Sequence, residues 1–308
     1  MKKYLKVLTT AMVAMAMVVM SAASAFAMAG DDAAYSENGV ISATGMGVRP
    51  QQVASYAQGK ILARRAAIVS AYRQLAENVN GVQVDSETTV EMATTTSDVT
   101  RTRVSGLIKG ARITSESYEK DGTYMVTMEV PMYGVTGSIA SAVMPKPAVK
   151  ESFPQPVASV APATVNVQVQ VNGAATPQVP ATTVAPNASS AAPAPVGQAV
   201  GTFTGLIVDC RGLGLRPVMS PVIKNAEGNA IYGYKNLDYD LIVKQGMASY
   251  TSDMGQAARA GSNPLVVKAV ALENHNGNPV LSTADANRVL IENGATHFLD
   301  NTSVVFVR

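Results

Sequence analysis

The residues best suited to chemistry in this 308-residue chain fall in one short run, Asp209-Cys210-Arg211-Gly212-Leu213-Gly214. Asp209 and Arg211 flank the end of an apolar, strand-like stretch that begins at Gly205. Gly212 and Gly214 can turn backbone amides outward, which is the arrangement of a small anion- or ligand-binding loop. The same residues also suit an Asp–Arg pair that orders a tight turn ahead of Pro217. Cys210 is the one cysteine. In an apolar run it behaves as a small hydrophobe, and a single thiol excludes an intrachain disulfide. Histidine occurs only as His275, in the polar turn Asn274-His275-Asn276-Gly277-Asn278, and as His297 near a helix end. Neither has a metal-ligating partner at a useful spacing.

Two weaker groupings follow. Arg101, Arg103, Lys109 and Arg112 form a basic stretch suited to lipid headgroups, acidic glycans or an acidic partner. Without interleaved aromatics it reads equally as a solvated face. Asp238-Tyr239-Asp240 offers carboxylates for calcium but lacks the glycine and the distal glutamate of a calcium loop. Gly45-Met46-Gly47 opens like a dinucleotide loop, yet Pro50 follows and the third glycine is missing. No HExxH, CxxC, GxSxG or Walker-type sequence occurs. The expectation is therefore a protein with no catalytic residues, no metal and no cofactor.

The elements that must position these groups are those of an α+β chain. Val40–Gly47 reads as a strand. Pro50 suits a first helical turn, and Val53, Ala57, Ile61, Ile68, Tyr72, Leu75 and Val79 mark one face of a helix ending at Asn80-Gly81. Val82–Met92 reads as a strand, with Val82, Val84 and Val90 on one side. Ser97-Asp98 suits the cap of a short helix carrying Val99, Arg103, Val104 and Leu107. Arg112–Tyr118 and Tyr124–Val130 form a hairpin about Lys120-Asp121-Gly122. The first unit, residues 38–144, is thus β-α-β-α-β-β, one sheet with helices on one face.

The second unit, residues 200–308, reads as a strand over Phe203–Cys210, a hairpin turning at Glu227-Gly228, and a helix over Ser252–Arg259. A strand over Pro264–Glu273 follows. Then comes a helix capped by Ser282, with Ala286, Val289, Leu290 and Asn293 on one face and Gly294 closing it. The last strand is Ser303–Val307.

Between the units, residues 145–199 hold ten of the sixteen prolines and three charges, Lys146, Lys150 and Glu151. Such a Pro/Ala/Val segment cannot bury enough apolar surface to offset its chain entropy. It is expected to be a disordered linker tethering two domains loosely, with Val165–Val171 an alternating run inside it. At the N-terminus, Lys2, Lys3 and Lys6 precede an apolar run from Val7 to Met20, and Ala25-Phe26-Ala27 has the small-x-small pattern of signal-peptide cleavage. Residues 1–27 therefore read as a signal peptide. The apolar run is shorter than the ~20 residues of a spanning helix. No second run approaches that length, so no transmembrane helix is expected after cleavage. Cys210 lies far from the cleavage site, so no lipid-modified N-terminal cysteine is expected. The formal charge of +2 excludes the strong basic excess of a nucleic-acid binder.

In the first unit, Ala63-Arg64-Arg65-Ala66-Ala67, Ala71-Tyr72-Arg73-Gln74-Leu75-Ala76, Gly81-Val82-Gln83-Val84, Val104–Arg112 and Asp121–Val130 carry a resemblance. Over about residues 39–133 the chain resembles the domain of LPP-type outer-membrane lipoproteins and the N-terminal domain of flagellar assembly protein T. That resemblance implies an envelope-facing adaptor and brings no catalytic residues with it. The second unit, through Leu206–Leu215 and Asn263–Ala269, resembles domains that accompany such modules in bacterial envelope proteins, with no activity implied.

Together these readings lead to an exported interaction protein of the cell envelope, in the periplasm or at the cell surface, not lipid-anchored. An envelope protein is its expected partner, peripheral membrane contact is compatible, and a surface or flagellar assembly is the setting. Two alternatives stay open. One is a small-ligand-binding or hydrolytic C-terminal domain centred on Asp209 and Arg211, and the other is a structural spacer.

Overall fold

A computed structural model describes Tyr35, residues 39–156 and residues 197–308. The signal segment 1–27, the alternating run Val165–Val171 and most of the expected linker lie outside the described residues.

The first unit comprises β1 (Val40–Val48), α1 (Tyr56–Asn80), α2 (Val90–Thr96), α3 (Asp98–Lys109), β2 (Arg112–Tyr118), β3 (Thr123–Pro131) and α4 (Ile139–Val143). Its three strands form an antiparallel sheet in the order β1-β3-β2. Period-2 alternation buries Ile41, Ala43, Gly45 and Gly47 of β1 with Tyr124, Val126, Met128 and Val130 of β3. The sequence places the hairpin well, because its turn chemistry is local. Gly122 is left-handed at φ +92, and the Asp121 carboxylate accepts from Thr123 N.

Helix α1 departs from the expected face. It starts at Tyr56, where the Ser55 hydroxyl accepts from Gln58 N, rather than at Pro50. Its buried stripe is Gly59, Ala63, Ala67, Ala71, Leu75 and Val79. Ile61, expected inside, is 57% exposed, while Ile68 and Tyr72 only flank the core. The cause lies across the interface. A Cβ on Gly45 would stand 2.1 Å from Ala71 N and 2.2 Å from Ala67 O, and one on Gly47 would stand 2.2 Å from Ala63 O. Helix and strand backbones are nearly in contact, so only alanine-sized residues fit the seam.

Residues 82–92 also differ from the strand expected there. The Asp85 carboxylate accepts from Glu87 N and Thr88 N, closing a turn, and Thr89 then caps α2. The alternating Val82, Val84 and Val90 are still buried, so the pattern reported burial correctly but not conformation. The unit keeps its sheet-plus-helix class, with α2 in place of that strand.

The second unit contains β4 (Gly205–Asp209), β5 (Ile223–Asn225), β6 (Ala230–Tyr232), α5 (Tyr239–Gln245), β7 (Ser249–Thr251), β8 (Pro264–Glu273), β9 (Asn278–Leu281), α6 (Thr283–Thr296) and β10 (Val304–Val307). They form a seven-stranded sheet in the order β6-β5-β9-β8-β4-β10-β7. Strands β8, β4, β10 and β7 run parallel. The helix expected over Ser252–Arg259 is instead two 3-10 turns, Met254–Gln256 and Ala258–Ala260. Helix α6 has the expected Ser282 cap and buried face. It runs through Gly294, however, and ends at His297, which is left-handed at φ 56.

The two units do not hang loosely from a tether. Their buried residues form one continuous core. Met219 N donates to Gln83 O (3.0 Å), Ser220 N to Val84 O (2.8 Å) and Gly134 N to Val243 O (2.7 Å). The Tyr35 ring meets Tyr250 edge-on at 5.8 Å. Residues 145–156, assigned by sequence to the linker, run along the second unit, with Phe153 stacked on Tyr232 and Glu151 N donating to Lys235 O.

Candidate functional site

Asp209 ends β4, between Lys268 of β8 and Val307 of β10. Ligands of open α/β sheets bind at this C-terminal edge of parallel strands. The side chains, however, close on each other. Arg211 donates to the Asp209 carboxylate from Nε (2.9 Å), Nη2 (2.7 Å) and its backbone N (3.1 Å). This bidentate fork holds the Asp209 carboxyl below the usual carboxylate range. Leu213 N donates to Cys210 O, and Gly212 (φ +80) and Gly214 (φ +78) occupy left-handed positions that this turn gives to glycine. Cys210 is fully buried, and burial pushes its thiol up to about 12, which leaves no thiolate at neutral pH.

The loop that carries His275 adjoins the segment after this turn, with Arg216 N donating to Asn276 O (2.9 Å). His275 lies in a left-handed run, Asn274 (φ 49), His275 (φ 55) and Asn276 (φ 66). That loop is tied to the first unit by Asn274 Nδ2 donating to Glu87 Oε1. His297 approaches Asp300 at 3.4 Å beside a groove of about 430 Å³ between residues 150–156 and α6. Asp300 there also takes Lys150 at 3.6 Å and Asn293 at 3.2 Å, so its charge is already shared. Among the described residues, no three His, Cys, Asp or Glu side chains stand close enough to hold a metal ion. Asp238 is the cap of α5, accepting from Leu241 N, which accounts for the Asp-Tyr-Asp run.

The basic stretch does not converge. Arg101 pairs with Asp98 at 3.0 Å and donates to Thr94 O. Arg103, two residues on, points about 200° away around α3. Lys109 is in that helix's last turn and Arg112 opens β2.

Sequence reasoning missed a cluster at the hairpin end of the first unit. Arg64 Nε donates to Glu116 Oε2 (2.9 Å), and the Tyr124 hydroxyl donates to the same oxygen (2.7 Å). Arg64, then Tyr124, hold the Glu116 carboxyl down at about 2. The Arg49 guanidinium lies 5.1 Å from the Tyr56 ring centre and the Lys60 ammonium 5.0 Å from that of Tyr118. The one local signal was Lys60 and Arg64 four apart on a helix. Their partners arrive from another element and are invisible to spacing. Arg259 was missed too. It ties Gln245 O, Gly246 O and Thr302 O together in the second unit.

Comparison with known families finds two matches. Residues 46–131 match the LPP20 lipoprotein family, from within β1 to the end of β3. Residues 205–308 match the second domain of Treponema pallidum Tp0624, which covers the second unit from β4 onward. The first match agrees with the resemblance read from the residues and points to an envelope-associated protein. No match is found among curated proteins.

Proposed function

We propose that this chain is an exported envelope protein that acts by contact with partner proteins, in a surface or flagellar assembly, and not by catalysis. The observation that carries the reading is the LPP20 lipoprotein match over residues 46–131. The state of the chemically capable groups supports it. The Asp209 carboxylate is occupied by Arg211, Cys210 is sealed, and His297 faces Asp300. The family's name implies a lipid anchor, but the one cysteine in this sequence is Cys210, buried beside β10. We therefore read this protein as held in the periplasm or at the surface by its contacts and not by a lipidated cysteine. A second reading, a small-ligand loop at Asp209 and Arg211, draws support from their position at the C-terminal edge of the parallel strands.

Cross-linking of the tagged chain in intact cells separates the two. The contact reading expects the same partner proteins for the native chain and for Asp209→Asn. Loss of those partners in a still-folded Asp209→Asn protein would move the function to the Asp209 turn.

A further inference from the structure

The seam against β1 uses small residues, which leaves the larger side chains of α1 on its outer surface. Ile61 is 57% exposed, Leu62 38% and Val69 60%. Arg65 and Arg73 are exposed on the same outer side and make no ion pair among the described residues. Ile61, Arg65, Val69 and Arg73 follow one another at four-residue steps, so apolar and cationic groups alternate along one stripe. From Tyr56 to Ala76 the helix carries no acid, and Glu77 stands only at its far end. At its start, Tyr56 is 61% exposed with Arg49 over its ring. At the other end of the stripe, the Tyr72 hydroxyl donates to Lys109 O and so brings the last turn of α3 alongside. The acids closest along this helix and its contacts are Glu77, one four-residue step beyond Arg73 on the same stripe, and Glu116, already held by Arg64.

We propose that this outer face of α1, formed by Ile61, Leu62, Arg65, Val69 and Arg73, docks on an anionic phospholipid bilayer. Single exposed apolar residues are ordinary. Exposed aliphatic side chains beside guanidinium groups that make no ion pair suit a peripheral contact with an anionic surface, where charge attraction and shallow apolar burial add. Guanidinium groups pair with phosphates, their stems lie along the apolar boundary, and Ile61, Leu62 and Val69 enter it. Tyrosine at the rim suits the headgroup level. A second copy is a poorer occupant, because face-to-face pairing would bring four guanidinium groups together against only two Glu77 carboxylates at the ends of the stripes. The inference rests on the envelope reading only for the presence of such a surface in the cell. Purified vesicles test it independently of where the protein resides.

The test uses the chain from Met28, which keeps every described residue and leaves out the apolar run at 7–20. It is sedimented with vesicles of phosphatidylglycerol in phosphatidylcholine, and with phosphatidylcholine alone. Binding is expected only to the anionic vesicles and should weaken as salt rises. The double variant Arg65→Glu, Arg73→Glu should bind at least about tenfold more weakly, since each basic residue near such a surface contributes appreciably. Ile61→Asp with Val69→Asp should do likewise, while Met46→Asp on the opposite face of the sheet should bind as the native chain does. Circular dichroism on each variant separates lost binding from lost fold. No binding of the folded native chain to the anionic vesicles overturns the proposal, as does binding that both double variants leave unchanged. A solution dimer dissolved by Ile61→Asp would also overturn it and would assign the face to a second copy.

Discussion

Gly45→Ala should unfold the protein or lower its melting temperature by several degrees, although it adds a single methyl group to a strand. The new carbon would stand 2.1 Å from Ala71 N and 2.2 Å from Ala67 O, both main-chain atoms of α1. A side chain can rotate away from such a clash, but a helix backbone cannot. The 25-residue α1 must therefore lift off β1, opening the seam at Ala63, Ala67 and Ala71. Overpacking a core commonly costs about 1–3 kcal/mol, and contact with rigid backbone puts this case at or above the upper end. For two units that melt together as one core, about 3 kcal/mol corresponds to roughly 6–12 °C. Ser42→Ala, three residues away on the open side of the sheet, should change stability by no more than about 0.5 kcal/mol. Thermal melts of both variants make the comparison. A Gly45→Ala protein melting within a degree or so of the native chain would mean that α1 does not sit on β1 as described.

A cut anywhere between Pro156 and Gly197 should leave the two halves bound to each other. The covalent link is dispensable because backbone hydrogen bonds from Met219, Ser220 and Gly134 cross the boundary, and buried side chains from both sides share one core. Gly246, left-handed at φ +77, lies so close to the Tyr133 ring that a Cβ there would be 2.7 Å from Cζ. A protease site placed in residues 157–196 should therefore yield fragments that co-elute and melt in one transition. Gly246→Val, which adds both backbone strain and a clash with Tyr133, should release them from each other. Native fragments that elute separately, each with its own melt, would restore the picture of two domains on a tether.

These two expectations mark where the sequence could be read and where it could not. Local chemistry was legible: the Asp121-Gly122 turn, the Ser97 and Ser282 caps, and the α6 face at Ala286, Val289, Leu290 and Asn293. Each depends on neighbours a few residues apart. The face of α1 was misread because pattern reading weights bulky apolar residues, while the seam selects small ones in answer to Gly45 and Gly47. The two glycines and the alanines are each unremarkable, and only their apposition across the fold gives them meaning. The stretch 252–259 has helical composition, yet Asp253 accepts from Gly255 N and Gly261 is left-handed, so only 3-10 turns form. The junction between units was illegible because its main-chain bonds, at Gln83, Val84, Met219 and Ser220, leave no trace in residue type, and its side-chain contacts, such as Tyr35 on Tyr250, join residues far apart in the chain. At the candidate site, the Asp209–Arg211 pair was visible from its i, i+2 spacing. That the two would satisfy each other so fully, and that Arg64, Glu116 and Tyr124 would converge, depends on side-chain geometry.

On the function proposed, the protein is exported to the envelope and held there by its contacts. Cell fractionation with N-terminal sequencing and mass measurement of the recovered chain tests it most directly. The chain should be recovered with the envelope or periplasmic fraction, with a sequence beginning near Met28 and a mass with no acyl addition. A cytosolic chain that retains Met1, or a chain carrying a lipid, would contradict it.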